Sequence, residues 1–149
     1  LKMKYYQNIV LAVELDPDCD NRPLVRASEL AKEFGAKLHL VHAIEHMSSY
    51  GAAYGVAAGT DIEEMLLENA NDAMKKIGAK VGVENANQVI KVGPARTIIL
   101  EEAERLKADL VIVGSHGRHG IRLLLGSTAN AVLHGAACDV LAVRLQDED

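Results

Sequence analysis

Short apolar runs and longer amphipathic segments follow one another along the whole chain. The first run, residues 8–14, is short, β-branched and apolar, which is typical of a strand buried on both faces of a parallel sheet. Asp16-Pro17-Asp18 then ends this strand. Four further strands are predicted from the later apolar runs, at residues 37–44, 88–92, 109–113 and 139–143.

Between these runs, apolar residues recur at helical spacing. A helix is predicted over 22–34, with Pro23 in its first turn, one apolar face and Gly35 at its end. Segment 48–60, with glycines among alanines, has no regular period and is expected to be a mobile surface loop. Three more helices are predicted: one from a capping box over residues 60–63 to Gly78, one opened by Gly93-Pro94, and one that starts near Ser127.

Strands thus alternate with helices from one end of the chain to the other. That alternation predicts an α/β fold, and right-handed crossovers would place helices on both faces of the sheet. No repeat or low-complexity tract divides the chain. We therefore expect one domain over residues 1–149, built as a single doubly wound, Rossmann-like parallel sheet of five strands.

Composition and charge narrow the class of protein. Lysine and arginine total 16, aspartate and glutamate total 21, and the net charge of −5 argues against a protein that binds nucleic acid through phosphate contacts. The chain has neither the apolar stretch of a signal peptide nor the run of about 18 apolar residues that a membrane span requires. We expect a cytoplasmic protein that binds neither nucleic acid nor a membrane.

The sequence does not predict a metal site. Cys19 and Cys138 have no partner at the short spacing of a zinc or redox motif. His39, His42 and His46 have a spacing that suits metal binding on a helix. They fall on a predicted strand, however, where residues 39 and 42 point to opposite faces.

Candidate chemistry is concentrated where the fourth strand ends. In an open parallel sheet, ligands bind beyond the carboxyl ends of the strands, where the strand order switches. Glycines at 114 and 117 let backbone amides approach an anion, and Gly126-Ser127-Thr128 at a helix start adds amides, hydroxyls and the positive end of the helix dipole. Together they predict a phosphate cradle. The alternative is that the glycines form turns and Ser127 only caps the helix.

This arrangement resembles the nucleotide-binding signature of the universal stress proteins. Gly-x₂-Gly and then Gly-Ser-Thr follow a strand that reads Asp-Leu-Val-Ile-Val, and eight residues separate Gly117 from Gly126 where the family pattern has nine. Glu14 stands where the family usually has aspartate. The likeness extends over almost the whole chain, through residues 8–13, 91–94 and 138–143, and the tail at 144–149 resembles the stress-protein-A branch.

The resemblance implies an adenine nucleotide alpha hydrolase-like fold that holds ATP or AMP, with or without Mg²⁺. It places the ribose and phosphates beside Gly114, Ser115, His116 and Gly117, and the phosphates on Gly126, Ser127 and Thr128. It places the nucleoside beside Ala12, Val13 and Glu14, and the adenine on the backbone of Ala43. From its position alone, Arg118 could also offset phosphate charge. No residue is singled out as catalytic.

Three functions remain open at this stage. The first is a regulatory binding module, a cytoplasmic dimer that holds ATP or AMP and signals nucleotide or stress status. The second is a slow ATP hydrolase or nucleotidyl transferase, against which stands the lack of an obvious base or paired metal carboxylates near the cradle. The third is an interaction module with an empty cradle. We expect a homodimer through the edge strand Val140 to Val143, which would otherwise expose an apolar, unpaired sheet edge.

Overall fold

The computed structural model describes residues 5–16, 19–45, 59–115 and 125–145. Within these residues, five strands and four α-helices alternate, as predicted. The strands are β1 (Asn8–Ala12), β2 (Lys37–Ile44), β3 (Gln88–Val92), β4 (Leu110–Gly114) and β5 (Asp139–Val143). The helices are α1 (Arg22–Phe34), α2 (Gly59–Val81), α3 (Ala95–Arg105) and α4 (Ser127–Gly135), with a 3₁₀ turn at Asn85–Asn87.

All five strands run parallel in one sheet, in the order β3-β2-β1-β4-β5. The chain first builds outward from β1 to β2 and β3, and then returns to the other side of β1 to add β4 and β5. The strand order therefore switches between β1 and β4, which is where an open α/β sheet forms a ligand crevice. The predicted five-stranded, doubly wound α/β fold is confirmed.

Two hydrophobic cores cover the two faces of the sheet. One contains Leu11 and Leu40 from the strands, packed with Ala27 of α1 and Met74 of α2. The other contains strand valines packed with residues of α3 and α4, namely Val10, Val41, Val111, Ile98, Ile99 and Val132. Because both faces are buried, the central strands carry apolar residues at successive positions, and this explains why they appear as continuous runs in the sequence.

Helix α1 has the predicted bounds, and its termini show why. Pro23 lies in the first turn, where a missing N–H costs no helical hydrogen bond. Gly35 follows the last residue with φ of 64°, a left-handed conformation that glycine adopts without strain. The N–H of Ala36 then donates to the carbonyl of Ala31 at 2.8 Å and closes the helix end.

Helix α2 differs from its prediction at both ends. It begins at Gly59, so Thr60 lies inside the helix rather than at its N-cap, and it continues past Gly78 to Val81. Gly82 follows the last helical residue with φ of 72°, and the N–H of Val83 donates to the carbonyl of Gly78 at 2.9 Å. Gly78 is a glycine for packing, since a Cβ there would overlap the side-chain amide of Gln88.

Two strands also differ slightly from prediction, and one predicted loop cannot be compared. The first strand ends at Ala12, two residues before the predicted Glu14, and the fourth covers 110–114 rather than 109–113. Of the predicted loop at 48–60, residues 48–58 lie outside the described residues, while 59 and 60 begin α2.

Candidate functional site

The end of β4 and the start of α4 meet at the carboxyl edge of the sheet. The N–H of Gly126 donates to the carbonyl of Ser115 at 2.8 Å, and the N–H of Ser115 donates to the carbonyl of Val143 in β5 at the same distance. These bonds hold the two anchor points of the predicted cradle together, although its glycines stand one residue closer in sequence than the family pattern. The segment between the anchors, with His116, Gly117 and Arg118, lies outside the described residues.

Helix α4 begins without a side-chain cap from the described residues. Gly126 is the N-cap residue, with φ of −60° and ψ of 156°. The first helical hydrogen bond runs from the N–H of Asn130 to the carbonyl of Gly126 at 2.9 Å. Ser127 is therefore the first helical residue rather than the N-cap residue. Because the first-turn amides have no partner within their own helix, those of Ser127, Thr128 and Ala129 can serve an anion.

Gly114 and Ser115 both contact Leu145, in the segment that follows β5. A Cβ at Gly114 would lie 3.1 Å from Cδ1 of Leu145, so this glycine leaves room for that side chain. The Ser115 hydroxyl accepts a hydrogen bond from the N–H of Leu145 at 3.3 Å. These contacts give both residues a structural reason for their identity, in addition to any role toward a ligand.

The end of β1 presents one acidic side chain at the same edge. Val13 is buried and Ala12 is half-buried, while Glu14 is exposed. The chain turns directly afterwards, because the carbonyl of Glu14 accepts the thiol of Cys19 at 3.3 Å and the carbonyl of Asp16 accepts the N–H of Cys19 at 3.1 Å. Glu14 thus places a carboxylate beside the switch point, within the part of the site that the resemblance gives to the nucleoside.

Strand β2 brings His42 and Ala43 next to the end of β1. The N–H of Val13 donates to the carbonyl of Val41 at 2.8 Å, and Nδ1 of His42 lies 2.7 Å from the carbonyl oxygen of Val13. In the sequence, His42 stands out only by a metal-like histidine spacing, which its place on a strand argues against. Its contact with the site could have been foreseen from its position, because it directly precedes Ala43 at the carboxyl end of a central strand.

The other described features lie away from this edge. A groove of about 400 Å³ opens at the amino ends of β4 and β5, where the hydroxyl of Tyr6 donates to Asp139 at 2.8 Å. That hydrogen bond, followed by burial, raises the pKa of the Tyr6 phenol. Within the described ranges, no group of three or more His, Cys, Asp or Glu residues could hold a metal ion. No helix of that part is long and apolar enough to span a membrane.

Comparisons with known proteins agree with the observed fold and with the family that the sequence resembles. The family described as the universal stress protein family matches residues 5–144. Universal stress protein A homolog 2 of Coxiella burnetii is 59% identical over 145 residues, which cover 97% of this chain and 99% of that protein.

Solved structures of universal stress proteins have the same fold. The protein UspA from Lactobacillus plantarum is 22% identical with a TM-score of 0.75, over 95% of this chain and 98% of the solved chain. A universal stress protein in complex with cAMP is 28% identical with a TM-score of 0.61, again over 95% and 98%. This chain spans about half the length of two other solved chains, from Pseudomonas aeruginosa. The match over residues 5–144 and the 59% identity establish that the chain belongs to the universal stress protein family.

Proposed function

We propose that this stress-response family member is a cytoplasmic regulatory protein that binds an adenine nucleotide, ATP or AMP, at the carboxyl edge of its sheet. The observation that carries the proposal is the junction between β4 and α4, where the Gly126 amide is bound to the Ser115 carbonyl beside the switch point. This junction directs the start of a helix toward the crevice in which open α/β sheets bind their ligands.

The start of α4 supplies what a phosphate group requires. Its first-turn N–H groups and its dipole favour an anion, and Gly126 leaves the approach free of a side chain. The exposed Ser127 and half-buried Thr128 add hydroxyl donors in the same turn. A neutral ligand would leave this positive end of the helix unused, whereas a nucleotide phosphate complements it.

The ends of β1 and β2 supply the groups that a nucleoside requires. The Glu14 carboxylate is exposed at the edge, where it can accept hydrogen bonds from ribose hydroxyls. The Ala43 backbone offers one donor and one acceptor, which suits the edge of an adenine base. The related protein solved with cAMP supports an adenine nucleotide as the ligand class.

We also propose that the protein is a homodimer formed through β5. This strand is at one edge of the sheet, and the carbonyl of Val143 already accepts the N–H of Ser115, directly after β4. Because backbone groups alternate in direction along a strand, Val140 and Ala142 point their N–H and C=O groups away from β4. A second copy of β5 would satisfy these groups and cover the exposed Ala142.

The experiment that tests the proposal is acid extraction of the freshly purified protein, with the released small molecules identified by chromatography and mass. ATP, ADP or AMP near one per chain is the expected result. A protein that is empty, and that then binds no added ATP with Mg²⁺, would refute nucleotide binding and favour the interaction module.

A further inference from the structure

The hydrogen-bond ladder between β1 and β2 stops one bond early at the candidate site. The strands pair from Asn8 with Lys37 to Ala12 with Val41, and the last bond of the ladder joins the N–H of Val13 to the carbonyl of Val41. In a parallel pair, the next bond would join the N–H of Ala43 to the carbonyl of Val13. Among the described residues, no such bond forms.

The carbonyl of Val13 is bonded to the side chain of His42 instead. Nδ1 of this half-buried imidazole lies 2.7 Å from the oxygen. A carbonyl oxygen only accepts hydrogen bonds, so Nδ1 must carry the proton and Nε2 is left as an acceptor when the ring is neutral. The contact thus fixes one tautomer of His42.

Because the ladder ends at Val13, the backbone groups of Ala43 have no partner from β1. Its neighbour Ile44 accepts the N–H of Gly93 at 2.8 Å, which shows that residue 44 points its backbone toward β3. Backbone direction alternates along a strand, so Ala43 points its N–H and C=O toward β1, where the ladder has ended. Both groups therefore lie at the carboxyl edge beside Val13, without a partner from β1.

We propose that His42 is a positioning residue that ends the ladder and keeps the backbone of Ala43 open for the edge of a nucleobase. The inference rests on the proposed nucleotide site and adds a reason for its base selectivity. An adenine presents a ring nitrogen acceptor beside an amino donor, and the N–H and C=O of Ala43 complement that pair. The imidazole itself touches Val13 and not the base.

Replacement of His42 should have an effect that replacement of a merely stabilising residue would not have. Without the imidazole, the Val13 carbonyl is free to accept the Ala43 N–H, so the sheet gains a backbone bond while the base loses its partner. His42→Leu removes the hydrogen-bond donor and puts an apolar side chain of similar size in its place. His42→Asn is the matched control, because its side-chain amide can donate from the place that Nδ1 occupies.

The test is amide hydrogen exchange of the ¹⁵N-labelled chain, with and without ATP, in the wild type and both variants. In the free wild type we expect the Ala43 amide to exchange much faster than that of Val41, and ATP to slow it roughly tenfold. In His42→Leu the Ala43 amide should be protected without ATP. ATP affinity should fall roughly tenfold, with loss of the preference for ATP over inosine triphosphate. His42→Asn should behave as the wild type.

Two results with the His42→Leu variant would overturn the inference. One is an Ala43 amide that is equally protected in the free wild type and in His42→Leu. The other is a His42→Leu protein that keeps both the affinity and the base preference. Wild-type protein that binds no ATP would refute the proposed function, whereas the exchange of the free proteins would still decide the role of His42. If His42→Leu fails to fold, the ¹⁵N shifts of the wild-type ring decide it, because a proton on Nε2 alone contradicts the contact.

Discussion

Two histidines three positions apart in β2 have different surroundings. His39 is 5% exposed, with Nε2 3.4 Å from Oδ1 of Asn8, whereas His42 contacts the backbone of Val13 at the carboxyl edge. Burial lowers the pKa of His39, and the charges of Lys37 and Arg105 lower it further. The folded protein therefore holds His39 neutral more firmly than the unfolded chain does, and stability must depend on pH through this residue.

A first prediction follows for His39→Gln. As the pH falls below the ordinary histidine value of about 6.5, the unfolded chain takes up a proton first, so the free energy of unfolding decreases. The loss grows by about 1.4 kcal/mol for each pH unit down to the folded pKa and is complete below it. Urea unfolding between about pH 7.5 and about pH 5 should show a smaller decrease for His39→Gln than for the wild type. Equal pH dependence of the two proteins would contradict this.

A second prediction separates binding from stability at the start of α4. In Ser127→Asp, a carboxylate at the first helical position interacts favourably with the helix dipole, by about 0.3–1 kcal/mol. The same charge repels a nucleotide phosphate, so affinity for ATP should fall at least about tenfold, or about 1.4 kcal/mol. Thermal unfolding should thus show a higher melting temperature, whereas ATP titration should show a lower affinity.

Thr97→Asp is the matched control for this charge. Thr97 is exposed in the first turn of α3, which also starts at the carboxyl edge of the sheet but outside the candidate cradle. It should gain similar stability and keep its affinity for ATP. Equal affinity losses in the two variants would mean that net charge, and not the start of α4, governs binding.

At the scale of elements, a buried carboxylate joins α3 to β3. Glu102 is 1% exposed and forms ion pairs at 2.5 Å with Lys91 of β3 and with Arg105 one turn along α3. Burial by itself would raise the pKa of Glu102, but the bonds from Lys91 and Arg105 outweigh it and hold the pKa below its usual value. The carboxylate therefore stays charged and holds the helix against the edge strand.

A third prediction concerns Glu102→Gln. The change leaves two cations without their partner, but Lys91 and Arg105 are half-exposed and can regain water, so we expect a loss of about 1–3 kcal/mol in unfolding free energy. Because the folded pKa is depressed, this contribution is present above the ordinary pKa and disappears as the pH falls through the folded value. Urea unfolding near neutral pH measures it. The exposed neighbour Glu101→Gln should change stability by less than about 0.5 kcal/mol, and a loss as large as that of Glu102→Gln would contradict a role for the buried ion pairs.

Most elements follow from local patterns, but the ends of β1 and α2 do not. The bounds of α1, β2, β3 and β5 and the start of α4 were predicted from apolar runs and from the positions of Pro23 and Gly35. The end of β1 was not predicted, because it depends on the hydrogen bond that the His42 side chain of β2 donates to the carbonyl of Val13. The end of α2 was not, because Gly78 serves a contact with Gln88 that only the tertiary fold creates.

In the molecule as a whole, β5 forms one edge of the sheet, and no other strand of the described residues pairs with its outer side. A fourth prediction is that light scattering shows a dimer for the wild type at micromolar concentration and a monomer for Ala142→Pro. Proline at this position removes an N–H that faces away from β4, which an edge strand tolerates. Ala142→Ser keeps the N–H and should remain a dimer. A wild-type monomer would contradict the proposed interface.

The candidate site was predicted in outline and not in its contacts. The glycine and serine positions after β4 pointed to the carboxyl edge, and the fold brings Ser115 and Gly126 together there. The sequence could not show that Gly114 makes room for Leu145, or that His42 reaches Val13, because both contacts join elements far apart in the chain. His116, Gly117 and Arg118 lie outside the described residues, so their roles stay predictions.

We propose that an adenine nucleotide binds at the carboxyl edge, between the end of β2 and the start of α4. The most direct test is titration of the ¹⁵N-labelled chain with ATP and Mg²⁺, followed by amide chemical shifts. We predict saturable shifts at Ala43, Ser127, Thr128 and Ala129, with Gln88 at the amino end of β3 unaffected. Amides that do not respond to saturating ATP, or shifts confined to the amino edge, would contradict the claim.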